Sequence, residues 1–387
     1  MDTKRGTWPH ETGYQQCKTC VMDTTDPLIF FDDEGICSHC KQYAQYLQAL
    51  GAPEERARRL KGIVNQLQRD GRGAQYDCAM GISGGVDSSY LAWYATKVLE
   101  LRPLLVHVDA GWNSELAVAN IQAIVQSLKL DLHTLVVDWP SMRDVQRAYV
   151  LSGIANLDVP QDHAFIVSLY TEARKYGIRH ILNGGNMQTE SILPTAWGYD
   201  ASDSRNLRAI HSQFGRHDIG AFPIMTFWQR FFYYPYVARL QVHRPLEYIS
   251  YSKRDAKDLL ARKFGWRDYG GKHYESRFTK FFQAHYLPQR YGYDKRLAHL
   301  SSLVVSGQMT RNEALAELRL PLYDPHELEN DKRFFLKKLD LSEQEFERVM
   351  SSPKTDYTHF ANSEKLRMRL RQVTKRLSAK KRTFRSA

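Results

Sequence analysis

Long apolar runs are missing from this chain, and the amino end has no signal-peptide pattern, since Lys4 and Arg5 lead into polar residues. Those two absences exclude a membrane-spanning helix and argue for a soluble, cytoplasmic protein. Cysteine is scarce, with five in 387 residues, and a cytoplasmic location disfavours disulfides among them. No internal repeat is present. Acid is nearly absent from one stretch: Ser363–Ala387 carries ten Lys or Arg against Glu364 alone, which is +9 of the net +11. The body is therefore close to neutral, which argues against a large nucleic-acid footprint, so no nucleic-acid partner is expected. What remains is ample for a globular core, with 43% apolar and 12% aromatic residues, and the length has room for two or three domains.

Against that background, Met80-Gly81-Ile82-Ser83-Gly84-Gly85-Val86-Asp87-Ser88-Ser89 is the most informative segment. An apolar run, Tyr76 to Ile82, leads in, and a helix-compatible stretch, Ser88 to Val98, leads out. Glycine lets backbone approach a phosphate, and a following helix aims its free N–H groups at the anion. The familiar phosphate loop ends in lysine, and this one has none. The strand–turn–helix context puts a phosphate grip at the carboxyl end of a parallel strand.

Four of the cysteines form Cys17-x2-Cys20 and Cys37-x2-Cys40, with sixteen residues between the pairs. Two such knuckles suit tetrahedral Zn²⁺, which takes four soft ligands, and a four-thiolate site is closed and structural. His39 lies inside the second knuckle, but four cysteines are the simpler ligand set. Cys78 stands mid-strand and reads as a small core residue.

Along the chain, residues 1–50 form the zinc segment and a short helix from Lys41, and Glu54–Arg69 is a polar helix. An α/β alternation follows: strand Tyr76–Ile82, helix Ser88–Val98, strand Pro103–Val108, helix Ser114–Leu128, strand His133–Val137, helix Ala164–Tyr176 and strand Arg179–Leu182. The fold class is α/β, a doubly wound parallel sheet with an amino-terminal zinc ribbon and a mainly helical carboxyl-terminal region. The expected units are 1–50 (ribbon), 51–215 (nucleotide domain), 216–362 (helical substrate or partner domain) and 363–387 (basic tail). Thr189–Gly215 reads as a long polar loop of functional length. The aromatic run Phe222–Val237 is too polar to span a membrane and reads as buried core or a dimer face. Ser252 opens a helix to Phe264, and helices dominate from Glu275 onward. In the tail, Leu366, Leu370, Val373 and Leu377 recur at helical spacing, giving a basic amphipathic helix packed on the body. Its sharper readings are a partner contact or a peripheral contact with an anionic membrane.

Three further stretches carry residues suited to chemistry. His107–Glu115 closes the second strand, and His107 and Asp109 are candidate nucleotide contacts. Asn183-Gly184-Gly185-Asn186 closes the fourth strand, and Glu190 follows as a carboxylate for Mg²⁺ or the acceptor. Gly270-Gly271-Lys272-His273-Tyr274-Glu275-Ser276-Arg277-Phe278-Thr279-Lys280 is a second dense cluster, in which Lys272, Arg277 and Lys280 suit a diphosphate.

The loop resembles the SGGxDS loop of the N-type ATP pyrophosphatases (adenine nucleotide alpha hydrolase-like, or PP-loop, enzymes), which cleave ATP to AMP and pyrophosphate. Taken with the four cysteines, the His107–Glu115 strand end, the Gly184-Gly185-Asn186 turn, the Gly270–Phe282 cluster and the Ala298–Ser302 region, the chain resembles the WbpG-like N-acetyl sugar amidotransferases of bacterial surface-polysaccharide (O-antigen, lipopolysaccharide) biosynthesis. The resemblance runs from Cys17 to Ser302. It implies conversion of an acetamido group on a UDP-linked N-acetyl sugar to an acetamidino group, through adenylation by ATP and displacement by ammonia, with Mg²⁺ at the pyrophosphate. On this reading the candidate ATP-binding residues are Gly81, Ile82, Ser83, Gly84, Gly85, Asp87, Ser88, His107, Asp109, Gly184 and Asn186. Candidate substrate-binding residues are Glu190, Lys272, Tyr274, Glu275, Arg277 and Lys280, and candidate catalytic residues are Asp87, Ser83, Lys272 and Glu190. Glutamine hydrolysis needs an activated cysteine, and no cysteine here fits. The expectation is therefore a separate glutaminase with a cyclase-like subunit, similar to the pair of histidine biosynthesis. The alternative within the superfamily is a tRNA thiolase.

Overall fold

A parallel sheet with the strand order β3-β2-β1-β4-β5 organises the molecule. The computed structural model describes residues 13–271 and 274–372. Its strands are β1 (Cys78–Gly81), β2 (Pro103–Asp109), β3 (Leu132–Val136), β4 (His180–Leu182) and β5 (Gln241–His243). Every pairing is parallel. The helices are α1 (Ser38–Leu50), α2 (Pro53–Asp70), α3 (Val86–Lys97), α4 (Glu115–Leu128), α5 (Trp139–Ser152), α6 (Val159–Lys175), α7 (Met187–Glu190), α8 (Ser204–Phe214), α9 (Lys253–Phe264), α10 (Arg277–Phe281), α11 (Leu287–Tyr291), α12 (Lys295–Val305), α13 (Arg311–Leu318), α14 (Pro325–Leu339) and α15 (Glu343–Ser351).

Burial on both faces explains why β1 and β2 are continuous apolar runs. Successive side chains leave a strand on opposite faces. Ala79, Leu104, Val106 and Val108 enter one core with residues of α5, α6, α10 and α14. Cys78, Met80 and Leu105 enter the other, with residues of α2, α3, α4 and α9. The sheet is thus doubly wound, as the alternation implied. Strand order reverses between β1 and β4, and that switch point opens a crevice at the strands' carboxyl ends.

Three features depart from the sequence reading. Thr189–Gly215 is not one loop, because α8 forms within it, capped by Asp203; its buried apolar residues are only Leu207 and Ile210, too few to signal a helix. The aromatic run is buried core only in part, since Phe222 and Tyr234 join the first core. It makes a π-helical segment over Gln229–Val237 in which Tyr234 alone is buried, while Trp228 and Tyr236 stand exposed. The helix α5 and the strand β5 complete the α/β body. β5 comes from beyond residue 215, so the sheet draws on both sides of that expected boundary. In the tail, 364–372 is helical, with Arg367 paired to Asp200 and Leu366 exposed. Val373 and Leu377 lie outside the described residues. Among the described residues no helix is long and apolar enough to cross a membrane.

The amino-terminal knuckles form a third core on α12 and α13. Arg311 donates to the carbonyls of Cys17 and Cys20, and Ser301 Oγ accepts from Val21 N at 3.1 Å. One position on, Ser302 Oγ accepts from Ile192 N at 3.0 Å. α12 therefore ties the knuckles to the segment that follows Glu190.

Candidate active site

The loop between β1 and α3 sits at the switch point. Gly84 adopts φ +81°, and a Cβ there would lie 2.5 Å from the carbonyl oxygen of Ala117. Only glycine fits this combination of conformation and space. Ser83 N donates to Ser88 Oγ at 3.3 Å, and Gly85 N to Ser83 Oγ at 3.2 Å, so the two serines set the loop's shape. Gly85 is the N-cap of α3, and no side chain caps this helix. By contrast Ser114, Asp138 and Ser252 cap α4, α5 and α9. An uncapped first turn presents N–H groups and the positive end of the helix dipole to whatever enters.

That turn borders a chamber of about 250 Å³, shared by Ser83, Asp87, Ser88, Asn183, Gly184 and Glu190. Lys253, Lys257, Trp266, Asp268, Tyr269 and Glu275 close its other side. Gly84 O accepts from Trp266 Nε1 at 2.9 Å and from the Tyr269 hydroxyl at 3.3 Å, which pins this wall to the loop. Tyr251 is buried, and its hydroxyl donates to Asp87 Oδ1 at 2.5 Å. Burial, then the Asp87 charge, push that phenol well above its usual range, so it stays a donor. Gln188 holds Tyr251 in place, accepting from its N–H at 2.8 Å and donating to Ile249 O at 2.6 Å. Lys253 is the first residue of α9, where a cation opposes the helix dipole; the acids of the chamber offset that cost.

A second chamber of about 950 Å³ adjoins the first and shares Gly81, Ser83, Asn183, Gly184 and Glu275 with it. Ile82, His107 and Val108 line it from the β1 and β2 ends, and Asp158, Asp162, Arg230, Arg244 and Lys295 from farther off. His107 Nδ1 lies 3.0 Å from Ile82 O and its Nε2 accepts from Asn113 Nδ2 at 3.1 Å. These two bonds fix the proton on Nδ1.

The structure gathers Gly81, Ile82, Ser83, Gly85, Asp87, Ser88, His107, Gly184, Glu190 and Glu275 around the two chambers. Gly84 lies beneath, in the loop itself. Asp109 ends β2, accepting from Gly111 N at 2.7 Å, and lines neither chamber. Asn186 caps α7 and also lines neither. Arg277 and Lys280 point to α14, pairing with Asp331 and Glu327, and Tyr274 packs under Lys280. Lys272 lies outside the described residues. Glu275 reaches the site because Ser114 N donates to its carbonyl at 2.8 Å.

Sequence reasoning missed Tyr251, Lys253, Lys257, Trp266 and Tyr269. Lys253 and Lys257 had a signal, since the Ser252 cap places them four apart on one face of a helix start. The aromatics had none.

Around the amino-terminal knuckles, the four sulfurs of Cys17, Cys20, Cys37 and Cys40 lie within 4.8 Å of one another and are buried. Cys17–Cys40 and Cys20–Cys37 are 3.8 and 3.6 Å apart. A tetrahedral Zn²⁺ with bonds of about 2.3 Å would hold its sulfurs about 3.8 Å apart, so the set fits that ion. His39 is bound to Asp26 at 2.7 Å instead, which leaves the four thiols as the ligand set. Cys78 is fully buried and burial pushes its thiol up, so it is no nucleophile.

Comparison with known proteins bears on the segment that supplies Glu275. Residues 275–375 match the family described as LPS biosynthesis protein WbpG-like, C-terminal domain. This segment is similar to the WbpG-like carboxyl-terminal domain. It begins at Glu275 and holds α10 to α15, so it contributes to both chambers. No curated protein matches the chain. Among solved structures, NMN synthetase from Francisella tularensis is 14% identical with a TM-score of 0.27, covering 58% of this chain and 99% of its own. The NH3-dependent NAD synthetase from Campylobacter jejuni subsp. jejuni NCTC 11168, in complex with the nitrate ion, is 13% identical with a TM-score of 0.31, covering 78% and 98%. Neither likeness is close enough to bear on the activity.

Proposed function

We propose that this protein is an ATP-dependent, AMP-forming amidotransferase of lipopolysaccharide (O-antigen) biosynthesis, acting on the acetamido group of a UDP-linked N-acetyl sugar. The observation that carries the reading is the uncapped α3 amino terminus behind the Gly84 turn, opening on a chamber sized for phosphates and continuous with one large enough for a nucleoside and a sugar nucleotide. The WbpG-like domain adds the biosynthetic context.

The amide oxygen of an acetamido group is a poor leaving group. Attack of that oxygen on the α-phosphorus of ATP forms an O–P bond and releases pyrophosphate. Ammonia then adds to the imidate carbon, AMP departs with the C–O bond electrons, and an acetamidino group remains. The first-turn N–H groups of α3 and the loop backbone hold the departing pyrophosphate. Lys253 and Lys257 supply positive charge beside it. Asp87, Glu190 and Glu275, which line the chamber, would hold Mg²⁺, which would neutralise phosphate charge. Trp266 and Tyr269 cover the loop and keep water from the adenylated centre.

The chain supplies no thiol for glutamine hydrolysis, since Cys78 is buried and the other four cysteines form the cluster. Ammonia is therefore assigned to a separate glutaminase with a cyclase-like subunit. The same lack of an accessible thiol weighs against a tRNA thiolase. Mass spectrometry of UDP-diacetamido sugars incubated with the protein, ATP, Mg²⁺ and ammonium is expected to show one oxygen exchanged for NH. Sugars recovered unaltered across the candidate set would refute the reading.

A further inference from the structure

Two histidines and an aspartate run in single file from the surface to the large chamber. Asp70 ends α2, with its side chain 35% exposed. Its Oδ2 lies 2.9 Å from Nε2 of His180, on β4, and His180 is 1% exposed. The other ring nitrogen, Nδ1, lies 3.1 Å from Nε2 of His243. His243 ends β5 and lines the chamber. A carboxylate only accepts, so His180 carries its proton on Nε2 and its Nδ1 accepts from His243 Nε2–H. In the neutral ring, His243 Nδ1 is then an unprotonated acceptor. Burial, and next the His180 ring, hold His243 down to about 4, which keeps it neutral at working pH.

We propose that His243, backed by His180 and Asp70, takes the proton from the nitrogen nucleophile in the large chamber and passes it toward solvent. The proposal rests on the reading of this protein as an ammonia-using amidotransferase. When ammonium enters, one N–H bond breaks, the electron pair stays on nitrogen as the attacking lone pair, and the proton goes to His243 Nδ1. The His243 Nε2 proton passes to His180 Nδ1 and the His180 Nε2 proton to Asp70 Oδ2 as the nitrogen attacks, and Asp70 releases it to water only after the C–N bond has formed. Each ring ends in its other tautomer, and the array resets when a proton from water returns through Asp70 and both rings to the amidine, which leaves as the amidinium. Nothing is oxidised or reduced. His243 is the catalytic base, and His180 and Asp70 are positioning residues that act through it. The other charged groups of the chamber are Asp158 and Asp162 at the start of α6, Arg230, Arg244 and Glu247 around β5, and Glu275 and Lys295 from the carboxyl-terminal segment. Arg179 stands near Asp70. All of them stay in place in the variants below, so a changed pH profile reports on the array.

The test is kcat/KM for ammonium, read as amidine formation from about pH 6.5 to about pH 9.5. The unaltered protein draws on total ammonium, and its profile is expected to be nearly flat. His243→Gln cannot take a proton and uses free ammonia only, so its kcat/KM should rise about tenfold per pH unit until free ammonia predominates. Asp70→Asn leaves both rings in place at a surface position. It should show the same rising profile with a smaller loss, roughly tenfold near neutral pH. Parallel profiles for all three proteins would overturn the relay alone. No amidine from the unaltered protein at any pH would overturn both the relay and the reaction it rests on. Pyrophosphate release without a nitrogen source, followed in the same samples, shows whether the ATP half-reaction is intact.

Discussion

Asp87→Asn is expected to stop AMP formation while leaving the fold in place. Asparagine keeps an oxygen to accept from Tyr251, so the bond now 2.5 Å long has a neutral replacement and the buried hydroxyl stays satisfied. What disappears is the charge at the first turn of α3, beside the chamber that takes the phosphates. Loss of one charged group at a preorganised site costs about 10²–10³-fold in rate, and a group that also holds a metal costs more. Asp87→Ala should show the same loss of AMP and a second effect. Tyr251 is 2% exposed, and its hydroxyl would lose this acceptor at about 1–3 kcal/mol. Chromatographic assay of AMP and pyrophosphate, with thermal melts of both variants, separates the two effects. Normal turnover in Asp87→Asn would remove Asp87 from the chemistry.

Cys17→Ser has the second large expected effect, on stability rather than on the reaction itself. Structural zinc contributes roughly 10–16 kcal/mol to small metal-dependent segments, and the ribbon has little core apart from its contact with α12 and α13. Removing one thiolate should bring the metal content to zero. The melting temperature should fall by at least about 5 °C, since 1 kcal/mol corresponds to about 1 °C in a chain of this length and the loss is several kcal/mol. Activity should fall in step with folded protein, because Ser301 and Ser302 on α12 connect the ribbon to the segment after Glu190. Elemental analysis beside calorimetry checks this. Full stability with stoichiometric loss of metal would show that the ribbon is dispensable.

Much of this was legible from local pattern. The Gly84-Gly85 loop announced itself because a close backbone approach demands glycine, and Gly84 carries the positive φ that makes the demand strict. The four cysteines were legible because ligand spacing is set by the tight turns that present it. β1 and β2 were legible because a strand buried on both faces must be apolar throughout. Other parts had no local signature. β5 is three residues at a sheet edge, Gln241–His243, half exposed and without a period. α5 buries Asp144, Gln146 and Arg147 beside its apolar residues, which blurs the helical spacing. The aromatics of 222–237 read as core or a dimer face, and burial follows from packing partners: Phe222 and Tyr234 find them, while Trp228 and Tyr236 stand exposed within the described chain. Tyr251, Trp266 and Tyr269 reach the loop from more than 150 positions away. Arg277 and Lys280 looked like phosphate ligands because they share a helix face, yet acids on α14 claim both. Contacts that only the folded chain creates cannot be read from spacing.

The central claim is that the Gly84 turn and the open end of α3 hold ATP for cleavage at its α-phosphate. The measurement that meets it most directly is the nucleotide product balance in a reaction with ATP, Mg²⁺, a UDP-linked acetamido sugar and ammonium. AMP and pyrophosphate in equal amounts, matched by amidine formed, is the predicted result. ADP with phosphate, or amidine made without nucleotide cleavage, would contradict it.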